Sequence, residues 1–154
     1  MKVEPMLVHV RHVSVEWGDC DPAGIVFYPR FFAYFDASTA ALFARASGMK
    51  KPDLLEHYGV VGFPMVDTRA RFLVPCAYGD EVTIESRVTR FGRSSFDVEH
   101  RLLKDHALCV ECTETRVWVA RAAAHATAIK PVPIPEELIE RFGVDVPRAL
   151  NRRR

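Results

Sequence analysis

The sequence has no long apolar run and no surplus of charge of one sign. It contains no stretch of about 18 apolar residues, so we expect no transmembrane helix. Charged residues and histidine break up the first 13 positions: Lys2, Glu4, His9 and Arg11. We therefore expect no signal peptide, and a cytoplasmic protein. The 21 basic and 20 acidic residues nearly balance, apart from the basic run 152–154. We expect neither a nucleic-acid nor a membrane partner.

Motifs for metals, phosphates and nucleophiles are also missing. Cys109 and Cys112 are three apart in an alternating, strand-like stretch, so they point to opposite faces and cannot share a metal ion. The same reasoning applies to His9 and His12. The sequence has neither a glycine-rich phosphate loop nor a serine nucleophile elbow. We expect reduced thiols, no metal ion and no separate cofactor.

The chain length and the apolar fraction suit one domain. At 154 residues and 49% hydrophobic, the chain is able to bury roughly 70% of its unfolded surface without a covalent staple. We therefore predict a single domain over residues 1–154, with about 144–154 as a loose tail.

The periodicity predicts one strand, one long helix and then four strands. Residues 8–16 alternate as a strand. The helix runs over Tyr28–Ser47, with Pro29 in its first turn and Gly48 just past its end. An apolar stripe and many alanines cover most of this helix, which predicts that other structure encloses it on most sides.

The remaining elements follow at short intervals. A short helix is predicted at 52–57 and another at 135–142. The period-two segments are 64–74, 82–88, 96–102 and 108–119. Short turns favour antiparallel neighbours, so the fold class is α+β: a five-stranded antiparallel sheet wrapped around one long central helix.

Two carboxylates, Asp19 and Asp21, lie in the turn between the first strand and the helix. One interpretation makes both of them turn and capping residues, since Asp before Pro is common in turns. The other gives one of them a chemical role, because the chain passes directly to a helix N-terminus, which stabilises negative charge. The residues alone leave both interpretations open.

Residues 16–29, EWGDCDPAGIVFYP, are very similar to the signature of the 4-hydroxybenzoyl-CoA thioesterases of the hotdog superfamily. The likeness extends through Asp36, 59–64 and 78–80 and covers most of residues 10–120. It implies the hotdog fold, with the sheet around the helix. It also implies that Asp21 is the catalytic carboxylate, acting as nucleophile or as general base. The thioester oxygen would bind the backbone N–H of Tyr28, while Asp19 holds the turn.

The resemblance also implies substrate contacts. Asp36 would accept a hydrogen bond from the 4-hydroxyl of a benzoyl group; the alternative is a structural acid paired with an arginine on the strands. Phe27 would line the substrate site. At the CoA end, the family's basic cluster is reduced here to Arg93, followed by Ser94 and Ser95. Arginine suits phosphate, although an isolated arginine on a turn is more often only solvated.

The leading hypothesis is an acyl-CoA thioesterase that hydrolyses an aryl-CoA thioester, 4-hydroxybenzoyl-CoA or a close analogue, with CoA as part of the substrate. The alternatives are a broader or short-chain acyl-CoA thioesterase, a hotdog dehydratase and a non-catalytic acyl-CoA-binding protein. A nucleophilic Cys20 is disfavoured because no histidine adjoins it in the sequence. By resemblance we expect a homodimer or homotetramer.

Overall fold

The computed structural model describes residues 6–125, 127–143 and 146–149. The helices are α1 (Tyr28–Ser47), α2 (Lys51–Tyr58) and α3 (Glu136–Glu140). The strands are β1 (His9–Ser14), β2 (Met65–Phe72), β3 (Glu81–Phe91), β4 (Ser95–Lys104), β5 (Ala107–Val117), β6 (Val119–Arg121) and β7 (Ile129–Pro131). Among the described residues, no helix has both the length and the apolar character needed to cross a membrane.

Five strands form one antiparallel sheet in the order β1-β3-β4-β5-β2. The consecutive strands β3, β4 and β5 are neighbours because short turns join them, whereas β1 and β2 lie at the two edges. This confirms the α+β class with a five-stranded antiparallel sheet and a long helix. The small β6–β7 pair was not predicted; it extends the chain beyond β5.

Helix α1 has the bounds that its end signals predict. Pro29 occupies the first turn, where its missing N–H costs nothing, and Gly48 ends the helix at φ 74°, a left-handed conformation that favours glycine. The helix packs one side against the sheet, through fully buried residues that include Phe35, Leu42 and Phe43. A large apolar side chain buried in this way stabilises the fold by about 1.5–3 kcal/mol.

The opposite side of α1 is exposed. Ala33, Asp36 and Ala37 all face outward in the single chain. The prediction that the helix is enclosed on most sides is therefore wrong for one chain, because the sheet covers only the helix face that it contacts.

The apolar positions of β2 are also exposed, contrary to the alternation that predicts a buried face there. Val66 is 61% exposed and Phe72 is 49% exposed. The reason is the position of β2 at the sheet edge, where β5 is its one strand partner in the described chain. Phe72 still contacts α1, with its ring 5.7 Å from that of Phe31.

The end of the chain is held against β3 where the structure describes it. The Phe91 N–H donates to the Pro147 carbonyl over 3.0 Å, and the Ala149 N–H donates to the Phe91 carbonyl over 2.9 Å. Val146 is buried in the core. The prediction of a loose tail is wrong for 146–149, because this segment pairs with the end of a core strand. Residues 144, 145 and 150–154 lie outside the described residues.

Candidate active site

The loop between β1 and α1 is a tight, internally bonded turn. The Asp21 N–H donates to the Ile25 carbonyl and the Gly24 N–H donates to the Asp21 carbonyl, both over 2.9 Å. Gly24 has φ 79°, which a side chain disfavours. The Ala23 N–H donates to Asp21 Oδ1 over 2.8 Å. Among the described residues nothing donates to Asp21 Oδ2, so this oxygen of the half-buried carboxylate is available to a ligand or water.

Asp19 differs from Asp21 in its partners. Its Oδ2 accepts the Tyr34 hydroxyl over 2.7 Å and the Glu16 N–H over 3.1 Å. Its carbonyl accepts the Phe27 N–H over 2.9 Å. Burial, followed by this bond to Asp19, raises the pKa of Tyr34, so its hydroxyl stays a donor at neutral pH. Asp19 thus fastens the turn to α1, which is the structural role predicted for it.

The turn leads directly to the N-terminus of α1. Phe27 caps the helix and its carbonyl accepts the Arg30 N–H over 2.8 Å. The Tyr28 N–H makes no hydrogen bond to any residue that the structure describes. Phe27 and Tyr28 are both exposed. An unpaired N–H at a helix N-terminus is a donor suited to an oxygen that gains negative charge.

An apolar groove of about 300 Å³ adjoins this donor. It is lined by residues of the turn, of α1 and of the segment after β2: Ile25, Val26, Tyr28, Phe31, Phe72, Leu73, Val74, Pro75 and Cys76. The Val26 N–H donates to the Cys76 carbonyl over 2.8 Å, which fixes the turn to this wall. Tyr28, whose N–H is free among the described contacts, therefore lines a groove able to hold an apolar group.

Asp36 lies two turns further along α1 and opens onto a second cavity. Its Oδ1 accepts a hydrogen bond from Arg116 over 2.9 Å. The Asp36 side chain is 59% exposed, whereas that of Arg116 is 4% exposed. The cavity measures about 370 Å³ and is lined by Asp36, Lys51, Val61, Gly62, Phe63, Pro64, Met65 and Arg116. The arginine partner considered in the structural alternative is therefore present, yet the carboxylate still faces open space.

A buried polar network lies behind Arg116. Glu114 accepts from Arg116 over 3.0 Å, and also bonds Thr39 and His100. His100 Nδ1 lies 2.6 Å from Ser86 Oγ. Burial alone would raise the pKa of Glu114. The hydrogen bonds from His100 and Arg116 outweigh this effect and lower that pKa to about 2. Glu114 is therefore ionised at neutral pH and holds Arg116 in place.

The sequence interpretation missed Glu114 and Arg116. The alternation that it recognised at Val110 and Cys112 continues, two residues at a time, to both of them, and all four are buried. That continuation was the available signal. It was missed because charged residues are not expected on an inward face.

The β3–β4 turn is separate from the two carboxylates. Its backbone is pinned: the Trp118 N–H donates to the Ser94 carbonyl over 2.7 Å and the Ile134 N–H donates to the Arg93 carbonyl over 2.9 Å. Arg90 donates to Asp97 and to Ser95 Oγ, so it is engaged within the chain. The Arg93 side chain is exposed. Among the described residues no hydrogen bond or ion pair joins this turn to the carboxylates of the other two regions.

The comparisons agree with this geometry. Residues 15–142 match a protein family described as the thioesterase-like superfamily. The chain belongs to this superfamily. The 4-hydroxybenzoyl-CoA thioesterase of Pseudomonas sp. (strain CBS-3) is 30% identical over 131 residues, which cover 82% of this chain and 91% of that protein. The 1,4-dihydroxy-2-naphthoyl-CoA hydrolase of Synechococcus elongatus is 29% identical over 96 residues, 60% of this chain and 67% of that one.

Solved structures show the same fold. The structure of 4-hydroxybenzoyl-CoA thioesterase from Pseudomonas sp. strain CBS-3 matches with a TM-score of 0.79 at 28% identity, covering 87% of this chain and 98% of that chain. A mutant of 4-hydroxybenzoyl-CoA thioesterase complexed with 4-hydroxybenzoyl-CoA matches with a TM-score of 0.80 at 26% identity, covering 88% and 98%. The predicted hotdog fold is confirmed, and the chain is a thioester hydrolase of the acyl-CoA thioesterase type.

In this thioesterase the cysteine alternative has no structural support. Burial, and then the charges of Asp19 and Asp21, raise the pKa of Cys20. A thiol held protonated in this way is a poor nucleophile. The four cysteines are free thiols. Within the described ranges no group of three or more metal-binding side chains occurs.

Proposed function

We propose that this thioesterase hydrolyses an aryl-CoA thioester, with 4-hydroxybenzoyl-CoA as the simplest substrate. The observation that carries the proposal is the outward-facing carboxylate of Asp36, held by the buried Arg116 over 2.9 Å at the rim of a cavity. A carboxylate fixed in this way is ready to accept a phenolic hydroxyl. Two relatives are named for hydroxylated aromatic acyl-CoA substrates, which supports the same substrate class.

The spacing along α1 supports this assignment. Tyr28 and Asp36 are eight residues apart, so their backbones are separated by about 12 Å along the helix axis. Helical side chains lean towards the N-terminus, which brings the Asp36 carboxylate back towards Tyr28. A benzoyl group with a hydrogen bond of about 3 Å at each end has a similar length. The helix would thus bind both ends of one acyl group.

The chemistry would take place at the N-terminus of α1. The Tyr28 N–H polarises the thioester oxygen, and one such donor is typically worth about 10²- to 10³-fold in rate. Asp21 either attacks the thioester carbon itself or, as a general base, takes a proton from a water molecule that attacks this carbon. In the first case a mixed anhydride forms, the C–S bond breaks, CoA leaves as thiolate, and water then hydrolyses the anhydride. In the second case water attacks the thioester carbon directly, the C–S bond breaks, and the free acid and CoA are released without a covalent intermediate.

The CoA end and the assembly are part of the proposal. The exposed Arg93 on the β3–β4 turn, next to Ser94 and to Ser95 at the start of β4, would contact a CoA phosphate. We further propose a homodimer or homotetramer, because one side of α1 and the edge strand β2 are exposed in the single chain. No cofactor is required, since CoA belongs to the substrate.

A second candidate is a broader-specificity acyl-CoA thioesterase with the same catalytic turn. The ion pair between Asp36 and Arg116 favours it, because a carboxylate with a protein partner has a structural role without any substrate. The two candidates predict different effects of removing Asp36 on the hydrolysis of benzoyl-CoA, whose ring has no hydroxyl.

The deciding experiment measures thiol release from 4-hydroxybenzoyl-CoA, benzoyl-CoA and a panel of aliphatic acyl-CoAs. We expect Asp36→Ala to cost about 1.5–3 kcal/mol in kcat/KM for 4-hydroxybenzoyl-CoA, as a charge-assisted hydrogen bond does, and to spare benzoyl-CoA. Asp53→Ala, which removes an exposed acid from α2, is the matched control. Equal losses on both aryl substrates, with a lower melting temperature, would leave the broader thioesterase standing.

A further inference from the structure

The cavity at Asp36 contains a second charged group that the proposed function does not use. Lys51 begins α2 and lines this cavity together with Asp36 and Arg116. Its Nζ lies 4.6 Å from the ring centroid of Phe63, so the ammonium is held over an aromatic face. Lys51 is half-buried and makes no ion pair with any described residue.

Arg116 uses four of its five N–H donors within the chain, and its side chain is 4% exposed. Its Nε donates to Glu114, its Nη1 to the Phe63 carbonyl, and its Nη2 to Asp36 and Glu114. Lys51 has three N–H donors and no acceptor among the described side chains. Lys51 is therefore the more accessible of the two cations in this cavity, because it is half-buried while Arg116 is buried.

Asp36 and Lys51 have opposite hydrogen-bonding character and share one cavity. They do not form an ion pair with each other, since the described ion pair of Asp36 is with Arg116. The carboxylate and the ammonium are therefore further apart than an ion pair, and the cavity that both line has apolar walls through Val61, Phe63 and neighbouring residues. A ring that enters this cavity is within reach of both an acceptor and a donor.

We propose that Lys51 is a second specificity-determining residue, and that the preferred acyl group is an aryl ring with two adjacent oxygen substituents. One is a hydroxyl that donates to Asp36, and the other is an oxygen that accepts from Lys51. This inference rests on the proposed function, because it requires that the acyl ring reaches Asp36. It adds a substrate class, the ortho-dihydroxyaryl-CoA thioesters.

The competing explanation is that Lys51 only stabilises the fold through its contact with the Phe63 ring. In that case its loss lowers the melting temperature and affects all aryl substrates alike. A role in specificity instead changes the ratio of two substrates, which a general loss of folded protein does not alter.

The experiment compares kcat/KM for 3,4-dihydroxybenzoyl-CoA with that for 4-hydroxybenzoyl-CoA. In the wild type we expect the dihydroxy substrate to be favoured by about 5- to 10-fold, just below the range for a hydrogen bond from a charged donor, because Lys51 is only half-buried. Lys51→Met should bring this ratio to about 1, and Lys51→Arg should retain a preference. Lys50→Met is the control, since Lys50 is exposed and does not line the cavity.

Each outcome has a definite meaning. A wild-type ratio of 1 or less overturns the inference, and so does a ratio that Lys51→Met leaves unchanged. If 4-hydroxybenzoyl-CoA is hydrolysed under either result, the proposed function stands and only the role of Lys51 fails. If neither aryl substrate is hydrolysed while aliphatic acyl-CoAs are, both fail. Should Lys51→Met not fold, the ratio is measured on Lys51→Leu, which also has no donor.

Discussion

At the scale of single residues, Asp19 and Asp21 differ through their partners. They are two positions apart in one turn, yet Asp19 binds the Tyr34 hydroxyl with the same oxygen that accepts the Glu16 N–H. Asp21 accepts one N–H within its own turn and retains a free oxygen among the described contacts. A carboxylate that the fold does not use is the one available for chemistry.

This difference leads to a prediction about Asp21→Asn, which keeps the size of the side chain but removes its charge. We expect turnover to fall by at least about 10³-fold, because an amide is neither a nucleophile nor a base. CoA binding and the melting temperature should stay near the wild-type values. For comparison, Asp19→Asn should lower the melting temperature, because Asp19 holds the turn against α1. Wild-type turnover in Asp21→Asn would exclude the mechanism.

The buried Glu114 predicts how stability depends on pH. Its pKa in the folded state is about 2, below the ordinary 4.5, so its stabilising contribution is present above pH 4.5 and is lost as the pH falls towards 2. At about 1.4 kcal/mol per pKa unit, this contribution is about 3 kcal/mol.

The test is denaturant unfolding of the wild type and Glu114→Gln from pH 7 to pH 2. At pH 7 the variant should be less stable by about 3 kcal/mol or more, since it also leaves Arg116 without its buried partner. The difference between the two proteins should shrink below pH 5. A difference that stays constant over the whole range would contradict the assigned role of Glu114.

At the scale of elements, the sequence predicts α1 better than β2. The ends of the helix depend on local chemistry, Pro29 in the first turn and Gly48 at the end, and both signals are readable from the chain. The alternation in β2 does indicate a strand, but its burial depends on its place in the sheet. Residues distant in sequence determine that place, so the exposure of Val66 and Phe72 was not predictable.

The candidate site likewise has one part that was predictable from local sequence and one part that was not. The turn and the first residue of α1 are local, so they were predictable from one contiguous motif of residues 16–29. The pairing of Asp36 with Arg116 joins positions 80 apart, and no local pattern selects Arg116 from the other arginines on the strands. The cavity itself comes from α1, the start of α2, the 61–65 segment and β5. The residues that line the cavity could therefore be identified only from the folded structure.

The turn as an element predicts a difference between two of its glycines. Gly24 has φ 79°, whereas Gly18 has no positive φ, and an added Cβ meets nothing within 4 Å at either position. Gly24→Ala should therefore destabilise the protein by about 1–2 kcal/mol through backbone strain alone, and lower turnover by shifting Asp21. Gly18→Ala is the matched control, with stability and turnover close to wild type. Equal effects of the two variants on melting temperature and kcat would refute this explanation.

At the scale of the whole molecule, the single chain exposes two surfaces of a kind that proteins usually cover. One is the side of α1 with Ala33 and Ala37, whose small side chains allow close approach of another backbone. The other is the outer edge of β2, which no described strand pairs with, and where Val66 and Phe72 are exposed. Both lie on the same elements as Asp36 and the apolar groove, so an assembly that covers them would also enclose the candidate site.

The last prediction is that the protein is a dimer or a tetramer and that activity depends on assembly. Light scattering should give two or four times the 17.4 kDa of one chain. Ala37→Arg should shift the mass towards the monomer, because a bulky charge on the exposed side of α1 cannot be buried without a partner. Its turnover should fall with the mass, since a half-covered groove no longer holds the acyl group in position beside Asp21. Glu56→Ala, at an exposed position of α2 away from both surfaces, should leave the mass and the turnover unchanged. A monomer with full activity would show that one chain forms a complete site.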